Sequence, residues 1–286
     1  MGHRDDLFAV TILIVIRSCP YVKLRLSLFQ ITFVTNYEDK KKKFDSMITL
    51  YGRKPVLEIL LDPDSSIFRL HLSESNQRGD TITQIRKLAE KRKIDIVTHP
   101  KEALSRISKN ARQDQGVAID IAPPKYQSVD QISDSASQIL ALDGITNPQN
   151  LGMIIRCVAA SPMDGLLLPQ KGCAKIDPLV HKASAGTLIK SSIYHCPTIE
   201  SGLKSLRSKG YRLVGLAGGV DLSLGDIRSD GEKVVFVLGN ETSGISEPVL
   251  ALCDELACIP LESGVESINV AMAATLVAFR TTFSST

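Results

Sequence analysis

The sequence predicts an α/β protein with a small unit in its N-terminal half and a larger domain, built on a parallel sheet, in its C-terminal half. Short apolar runs, typical of strands buried on both faces, alternate with amphipathic segments typical of helices. Pro123-Pro124 breaks the chain and a polar Ser/Gln-rich stretch follows. We therefore expect a small α/β unit over 47–123, a linker over 124–137 and the larger domain over 138–286.

Composition excludes several classes of protein. With 43% hydrophobic and 23% charged residues, the chain is neither disordered nor a disulfide mini-protein. No apolar run reaches the roughly 20 residues that span a bilayer, so we expect no membrane insertion. The six cysteines form no CxxC pair, which favours reduced thiols in the cytoplasm and no metal site. Residues 1–125 are basic and residues 126–286 acidic, so a polyanion would bind mainly to the N-terminal half.

Residues 1–46 form an extension of unknown role. Leu7–Ile16 is apolar but too short to span a membrane, and Lys40–Lys43 is a basic run. The extension is interpreted either as a dispensable lead before a natural start at Met47 or as an arm that touches RNA or a membrane.

The small unit contains short elements of both kinds. Pro55–Leu61 is expected to be a helix that buries Leu57, Leu60 and Leu61 on one face. The other predicted elements are strands over Phe68–Leu72, Ile94–Thr98 and Gly116–Ile121, and helices over Thr81–Arg92 and Lys101–Ile107.

The larger domain alternates more regularly. Asn147-Pro148 and Asp177-Pro178 each place a capping side chain before a proline suited to the first turn of a helix. The first of these helices is expected to run to Ala160. The remaining predicted elements are strands over Ile139–Leu142, Gly165–Leu168, Tyr211–Leu216, Lys233–Leu238 and Ala257–Pro260, and helices over Ser201–Lys209, from Ser246 or Glu247, and over Ser267–Phe283.

Three of the loops after strands are rich in Gly, Asn, Ser and Glu, over 143–150, 239–244 and 260–269. Ligands of open parallel sheets bind beyond the carboxyl ends of strands, so these loops predict the site. Gly239 and Gly244 have P-loop spacing, but Ile245 stands where the lysine belongs, and no GxGxxG or GxSxG occurs. A nucleotide-dependent oxidoreductase and a serine hydrolase are therefore disfavoured.

The same loops resemble the motifs of a known family. Residues 147–156 resemble the first motif of the SpoU (TrmH-type) RNA 2′-O-ribose methyltransferases, residues 238–245 the second and residues 259–270 the third. Residues 181–186 are similar to the segment between the first two motifs. Thr242 stands where the second motif usually has glycine.

The small unit extends the resemblance. Residues 50–60 and 115–117 resemble the two ends of the domain that binds substrate in the RlmB-like 23S rRNA guanosine-2′-O-methyltransferases. Asp114 stands where this domain usually has a histidine. The difference concerns which RNA is bound more than whether methyl transfer takes place.

The resemblance implies the trefoil-knotted α/β fold of the SPOUT superfamily, a homodimer formed through the C-terminal domain and S-adenosylmethionine as methyl donor. Trefoil knots are so rare that only the family resemblance licenses this expectation. The cofactor-binding residues that it implies are Leu238, Gly239, Ile259, Leu261, Ser267 and Ile268.

The implied catalytic group centres on Arg156. Because arginine stays protonated in proteins, we interpret Arg156 as a clamp on a substrate phosphate that orients the 2′-OH, not as a base. Asn150 would position the nucleotide or Arg156, and Glu241 would orient the arginine or a loop amide. Ser267 and Asn269 would act at the start of the last helix, where they also suit an N-cap.

RNA contact is assigned to basic residues, since the sequence has no Trp and no standard RNA-binding motif. The candidates are Arg53, Lys54, Arg86, Lys109 and Arg112, with Lys182 and Ser184 as weaker ones. The expected reaction is methyl transfer to a guanosine 2′-OH of large-subunit rRNA, which excludes DNA as acceptor. A tRNA methyltransferase of the same family and a catalytically idle RNA-binding or ribosome-assembly factor are the alternatives.

Overall fold

The computed structural model describes residues 47–76, 79–124, 126–227 and 231–282. The extension over 1–46, with its apolar and lysine runs, lies outside the described residues. No helix in the described ranges is long and apolar enough to cross a membrane. Residues 48–286 belong to one compact unit that contains two sheets.

The first sheet has four strands: β1 (Ile48–Tyr51), β2 (Ile67–Ser73), β3 (Asp95–His99) and β4 (Val117–Ile121). Their order is β1-β4-β2-β3, with β4 antiparallel to both neighbours and β2 parallel to β3. Strand β1 was not predicted, because its four residues run directly into a glycine and a helix.

Helices α1 (Arg53–Leu61) and α2 (Asp80–Lys91) supply apolar side chains to the main core of this sheet, and α3 (Lys101–Ser108) packs on Tyr51 and Ala118 through Leu104. The predicted face of α1 was wrong. Its buried residues are Pro55, Val56, Ile59 and Leu60, whereas Leu61 is 50% exposed. The i, i+3, i+4 stripe therefore starts at Val56.

The second sheet has seven strands in the order β11-β9-β10-β6-β7-β8-β5, and its neighbours pair in parallel. The strands are β5 (Gln127–Ser128), β6 (Gln138–Leu142), β7 (Gly165–Pro169), β8 (Ile193–Cys196), β9 (Arg212–Leu216), β10 (Val234–Leu238) and β11 (Glu255–Ala257). The parallel sheet predicted from the apolar runs is confirmed.

The segment predicted as a linker is part of this sheet. Strand β5 lies at its edge beside β8, and a 3-10 turn follows over Val129–Gln131. Val129, Ile132 and Ala136 are buried in the core. The polar composition of 124–137 concealed these apolar positions, which are spaced three and four residues apart.

Five helices flank the second sheet: α4 (Pro148–Ala159), α5 (Pro178–Ala183), α6 (Ile199–Ser208), α7 (Glu247–Leu250) and α8 (Val270–Phe279). Helices α4, α5 and α8 share one apolar core, while α6 and α7 share the core on the opposite face. Both predicted N-caps are confirmed: Asn147 accepts from the amide of Gln149 at 2.8 Å, and Asp177 from that of Leu179 at 2.9 Å.

The last helix is shorter than predicted. It starts at Val270 because the side chain of Asn269 caps it, accepting from the amide of Ala271 at 2.9 Å. It ends at Phe279, and the predicted end at Phe283 lies outside the described residues. Ser267 therefore belongs to the preceding loop.

Candidate active site

A cleft of about 390 Å³ lies where the loops after β9 and β10 meet the segment that leads into α8. It is lined by Leu216, Ala217, Gly218, Leu238, Gly239, Asn240, Glu241, Ser243, Gly244, Ile245, Leu250, Ile259, Leu261, Glu266, Ser267, Ile268, Val270 and Ala273. The six residues predicted to bind the cofactor all belong to this lining, which makes the cleft the candidate ligand site.

Backbone comes unusually close to backbone at one wall of the cleft. A Cβ atom on Gly239 would overlap the carbonyl carbon of Gly244 and the amide nitrogen of Ile245. Asn240 and Gly244 exchange two backbone hydrogen bonds of 2.9 Å, which close this loop tightly. Only glycine fits at position 239 without moving the loop.

One chain of side-chain hydrogen bonds joins the three motif loops. Asn150 is buried, and its Nδ2 donates to Oε1 of Glu241. The Oδ1 of the same amide accepts from Nδ2 of Asn269 at 3.2 Å. Asn150 thus holds the second and third motifs against the start of α4. The contact of Glu241 in this chain is with Asn150, and no contact with Arg156 is found among the described residues.

Two further polar side chains fix the same loops. Asn240 donates through Nδ2 to the carbonyl of Gly144 at 2.7 Å and accepts from the amide of Thr242 at 2.8 Å. Asp143 accepts from the amide of Ser246 at 2.7 Å. The loops after β6 and β10 are therefore fastened to each other before any ligand binds.

Arg156 is not part of the cleft lining. It lies on the exposed face of α4, and its side chain makes no hydrogen bond or ion pair with any described residue. Ser267 does line the cleft, and its hydroxyl likewise has no partner among the described residues. Both groups are free to meet a substrate.

Sequence reasoning missed one wall of the cleft, formed by Leu216, Ala217 and Gly218 at the end of β9. The sequence does contain a pattern that indicates this wall, because Ala217-Gly218-Gly219 directly follow an apolar strand. Small residues at the carboxyl end of a parallel strand leave room for a ligand.

The RNA candidates of the first sheet divide into two groups. Arg53 and Arg112 line a second cleft of about 460 Å³, together with Lys101, which was not predicted. The Nε of Arg53 is buried with no partner among the described residues. The other candidates, Lys54, Arg86 and Lys109, are exposed outside it.

Lys182 and Ser184, the two weaker candidates for RNA contact, both make contacts within the protein. Lys182 donates to Oε1 of Gln113 at 2.7 Å and lies 5.8 Å from the ring centre of Tyr51, so it links α5 to the first sheet. Ser184 is fully buried, and its hydroxyl donates to the carbonyl of His181 at 2.9 Å. The expectation that Ser184 contacts RNA is wrong, because no surface of it is available.

Asp114, which stands in place of the usual histidine, is also structural. Its buried carboxylate accepts from the hydroxyl of Ser108 and the amide of Gly116, each at 2.9 Å. It therefore holds the turn beside the cleft that contains Arg53 and Arg112. Among the described residues, no group of three or more His, Cys, Asp or Glu side chains could hold a metal ion.

His181 of α5 makes the stability depend on pH. It is 2% exposed, and burial lowers its pKa from 6.5 to about 4, although Asp177 acts in the opposite direction. The unfolded chain takes up this proton near pH 6.5 and the folded chain only near pH 4, so stability falls as the pH drops through that window. The loss reaches about 3 kcal/mol at the acid end.

We expect His181→Gln to remove this part of the pH dependence, because the amide does not titrate. Urea unfolding at about pH 7 and about pH 4.5 measures it for the variant and the wild type. Equal losses of stability in the two proteins would show that His181 does not control the acid sensitivity.

Comparisons with known proteins agree on one family. The profile of the SpoU rRNA Methylase family matches residues 137–279. The profile described as RNA 2′-O ribose methyltransferase substrate binding matches residues 49–127. The first match contains every strand of the second sheet except β5, and the second match covers the first sheet from its second residue onward.

Curated relatives carry related names. An uncharacterized tRNA/rRNA methyltransferase of Mycobacterium ulcerans is 32% identical over 240 residues, which cover 82% of this chain and 76% of the relative. A protein of the same description from Mycolicibacterium smegmatis is 32% identical over 242 residues, with the same coverage.

Solved structures have the same fold. The SpoU methyltransferase AviRb from Streptomyces viridochromogenes, in complex with AdoMet, aligns with a TM-score of 0.71 at 21% identity, covering 84% of this chain and 91% of AviRb. The AdoMet-bound rRNA methyltransferase from Sinorhizobium meliloti aligns with a TM-score of 0.70 at 21% identity, covering 86% and 92%.

Proposed function

The chain belongs to the SpoU rRNA methylase family, and on this premise we propose that it transfers the methyl group of S-adenosylmethionine to a ribose 2′-OH of RNA. The observation that carries the proposal is the hydrogen-bonded chain from Glu241 through Asn150 to Asn269. It joins three loops that are distant in sequence beside one cleft. A chain that only bound RNA would not need this arrangement.

The cleft fits S-adenosylmethionine. Its walls are apolar at Leu216, Leu238 and Ile259, and the close approach at Gly239 brings backbone groups to its surface. The amides of Leu261 and Ile268 donate to no group among the described residues, so they remain available to a ligand. We propose that these residues, with Gly239, Ile259 and Ser267, hold the cofactor, whose sulfonium supplies an activated methyl group.

The residues around the cleft then have distinct tasks. Arg156 would hold a phosphate of the substrate through its planar guanidinium and place the 2′-OH in line with the methyl group. Asn150 would keep the three loops in register, with Glu241 and Asn269 as its partners. Ser267, whose hydroxyl is free, would contact the ribose or the cofactor. The hydroxyl proton would leave through the phosphate or water, because arginine cannot accept it.

We further propose a homodimer formed through the C-terminal domain. Helices α4 and α8 pack against each other, with Cys157 Sγ 2.9 Å from Oγ1 of Thr275. Met153 on α4 and Met272 and Leu276 on α8 remain 40%, 63% and 48% exposed. A second copy would remove this apolar surface from water. The trefoil-knotted path implied by the SPOUT resemblance belongs to the same proposal.

The RNA would bind across the first sheet. The cleft of Arg53, Lys101 and Arg112 offers three cations, and among their side chains only that of Arg53 has a hydrogen-bond partner in the described residues, Asn76 at 3.4 Å. Phosphates would be held there by charge-assisted hydrogen bonds. The presence of this substrate-binding domain favours a guanosine of large-subunit rRNA over tRNA, and we place the reaction in the cytoplasm.

The test is methyl transfer from labelled S-adenosylmethionine to protein-free large-subunit rRNA and, in parallel, to bulk tRNA. We expect label in the rRNA and a loss of about a hundredfold in Arg156→Ala, since an orienting contact in the transition state is removed. Lys204→Ala removes an exposed cation from α6, on the opposite face of the sheet, and should retain full activity.

Each other outcome has a distinct meaning. Label in tRNA alone would support the methyl-transfer reaction but would show that the substrate is tRNA and not rRNA. Tight cofactor binding with equal activity of Arg156→Ala and wild type would remove Arg156 from the mechanism. Failure to bind S-adenosylmethionine would contradict the enzymatic function and favour the alternative of a catalytically idle RNA-binding factor.

A further inference from the structure

A second cavity of about 200 Å³ lies beside the carboxyl ends of β7 and β8, outside the cleft assigned to the cofactor. Its apolar walls include Leu168, Pro169 and Ile176. It is smaller than the roughly 300 Å³ at which pockets for drug-sized ligands begin, so it suits a single planar ring.

Two aromatic rings form one side of this cavity. The rings of Tyr126 and His195 are parallel within 7°, with their centroids 4.6 Å apart. Ser128 of β5 pairs with His195 of β8, and Tyr126 lies two residues before Ser128, so both rings lie on the same face of the sheet. The stack is therefore fixed by the strand register.

The cavity also contains polar groups that the fold does not use. The Nε2 of His195 is buried and has no hydrogen-bond partner among the described residues. Gln170 and Lys175, at the cavity wall, are exposed, and Lys175 has no ion pair in the described part of the chain. A ligand with a hydrogen-bonding edge and a nearby negative charge would satisfy both Gln170 and Lys175.

The cavity is connected to the candidate active site. The amide of Ala174 donates to the carbonyl of Ile145 at 2.8 Å, and the thiol of Cys173 lies 3.6 Å from the carbonyl of Leu142. These contacts tie the cavity wall to the loop between β6 and α4, which leads to Asn150. The cavity therefore lies beside the loop that leads into the candidate active site.

We propose that this cavity binds one base of the substrate RNA, splayed out of its strand and stacked on the Tyr126–His195 pair. Unpaired RNA bases are recognised by stacking on aromatic side chains and by hydrogen bonds to their edges. Gln170, exposed at the cavity wall, supplies the contact to the base edge and Lys175 the contact to the adjoining phosphate. This assignment rests on the proposed function, because it takes RNA as the substrate.

The experiment uses the full chain, labelled with ¹⁵N in the histidine rings and saturated with S-adenosylmethionine. The probes are AMP, GMP, CMP and UMP, and the imidazole resonance that disappears in His195→Gln identifies His195. We expect at least one nucleotide to shift that resonance. Tyr126→Ala should weaken this binding about tenfold or more, whereas Tyr126→Phe, which keeps the ring, should bind like the wild type.

Two results would contradict the proposed base-binding site. One is that no nucleotide shifts the His195 resonance, and the other is that Tyr126→Ala binds the nucleotide as tightly as the wild type. Thermal unfolding of both Tyr126 variants shows whether a loss comes from misfolding, and Tyr126→Phe keeps the test valid if Tyr126→Ala does not fold. Nucleotide binding at His195 without methyl transfer to any RNA would contradict the proposed function and leave the base site standing.

Discussion

We expect the Gly239→Ala variant to bind S-adenosylmethionine about ten to a hundred times more weakly than the wild type, which corresponds to about 1.4–2.8 kcal/mol. The added methyl group would overlap the backbone of Gly244 and Ile245, so the loop after β10 must move. Because that loop forms a wall of the cleft, its displacement changes the site directly. The free energy of unfolding should also fall, by about 1–3 kcal/mol.

Calorimetric titration with the cofactor and urea unfolding measure the two effects. Gly225→Ala is the matched control, because its new methyl group would lie 3.6 Å from the hydroxyl of Ser223 and outside the cleft. It should change stability by less than about 0.5 kcal/mol and leave binding unchanged. Unaltered cofactor affinity in Gly239→Ala would show that the cofactor does not bind beside this loop.

The second large effect is expected for Asn150→Asp. This change places a carboxylate against Glu241, where the wild-type amide donates a hydrogen bond. The second and third motif loops would then separate, because Asn150 is the residue that contacts both Glu241 and Asn269. We expect kcat/KM for methyl transfer to fall about a hundredfold, as when one aligned hydrogen-bond donor is removed from an active site.

A second substitution at Glu241 distinguishes a positioning role of Asn150 from a general loss of structure. In the double variant Asn150→Asp/Glu241→Gln, the glutamine amide can donate to the new carboxylate, and Asn269 can donate to it as before. We expect this variant to regain most of the lost activity. An equally inactive double variant with an intact fold would contradict the positioning role of Asn150.

Most strands and helices of the larger domain could be predicted from local chemistry, but strand β8 (Ile193–Cys196) was not predicted. Asn147-Pro148 and Asp177-Pro178 start helices as expected, because a capping side chain and a proline act over a few residues. The apolar strands were also found, since burial on both faces leaves a continuous hydrophobic run.

Elements that depend on distant partners were not predictable in the same way. Strand β5 has two exposed residues and forms only because β8 lies beside it. The start of α8 was placed at Ser267, although Asn269 caps the helix, because both residues suit a cap. In the small unit, the apolar face of α1 was assigned one position out of register.

Apart from the wall at the end of β9, the lining of the cleft followed from the general rule for parallel sheets and from the resemblance to known motifs. The hydrogen bonds that link Asn150 to Glu241 and Asn269 could not be predicted from the sequence. Asn150 lies 91 residues from Glu241 and 119 from Asn269, and nothing local pairs them. The resemblance offered Arg156 as one alternative partner of Asn150 and of Glu241, whereas Arg156 lies on the exposed face of α4. The Tyr126–His195 stack was missed because it depends on the register of β5 with β8.

The identity of the methylated nucleoside tests the central proposal most directly. Protein-free large-subunit rRNA would be incubated with the chain and S-adenosylmethionine, digested to nucleosides and analysed by mass spectrometry. The proposed reaction predicts new 2′-O-methylguanosine with the wild type and almost none with Arg156→Ala. Methylation of a base in place of a ribose, or no methylated nucleoside from a chain that binds the cofactor, would contradict it.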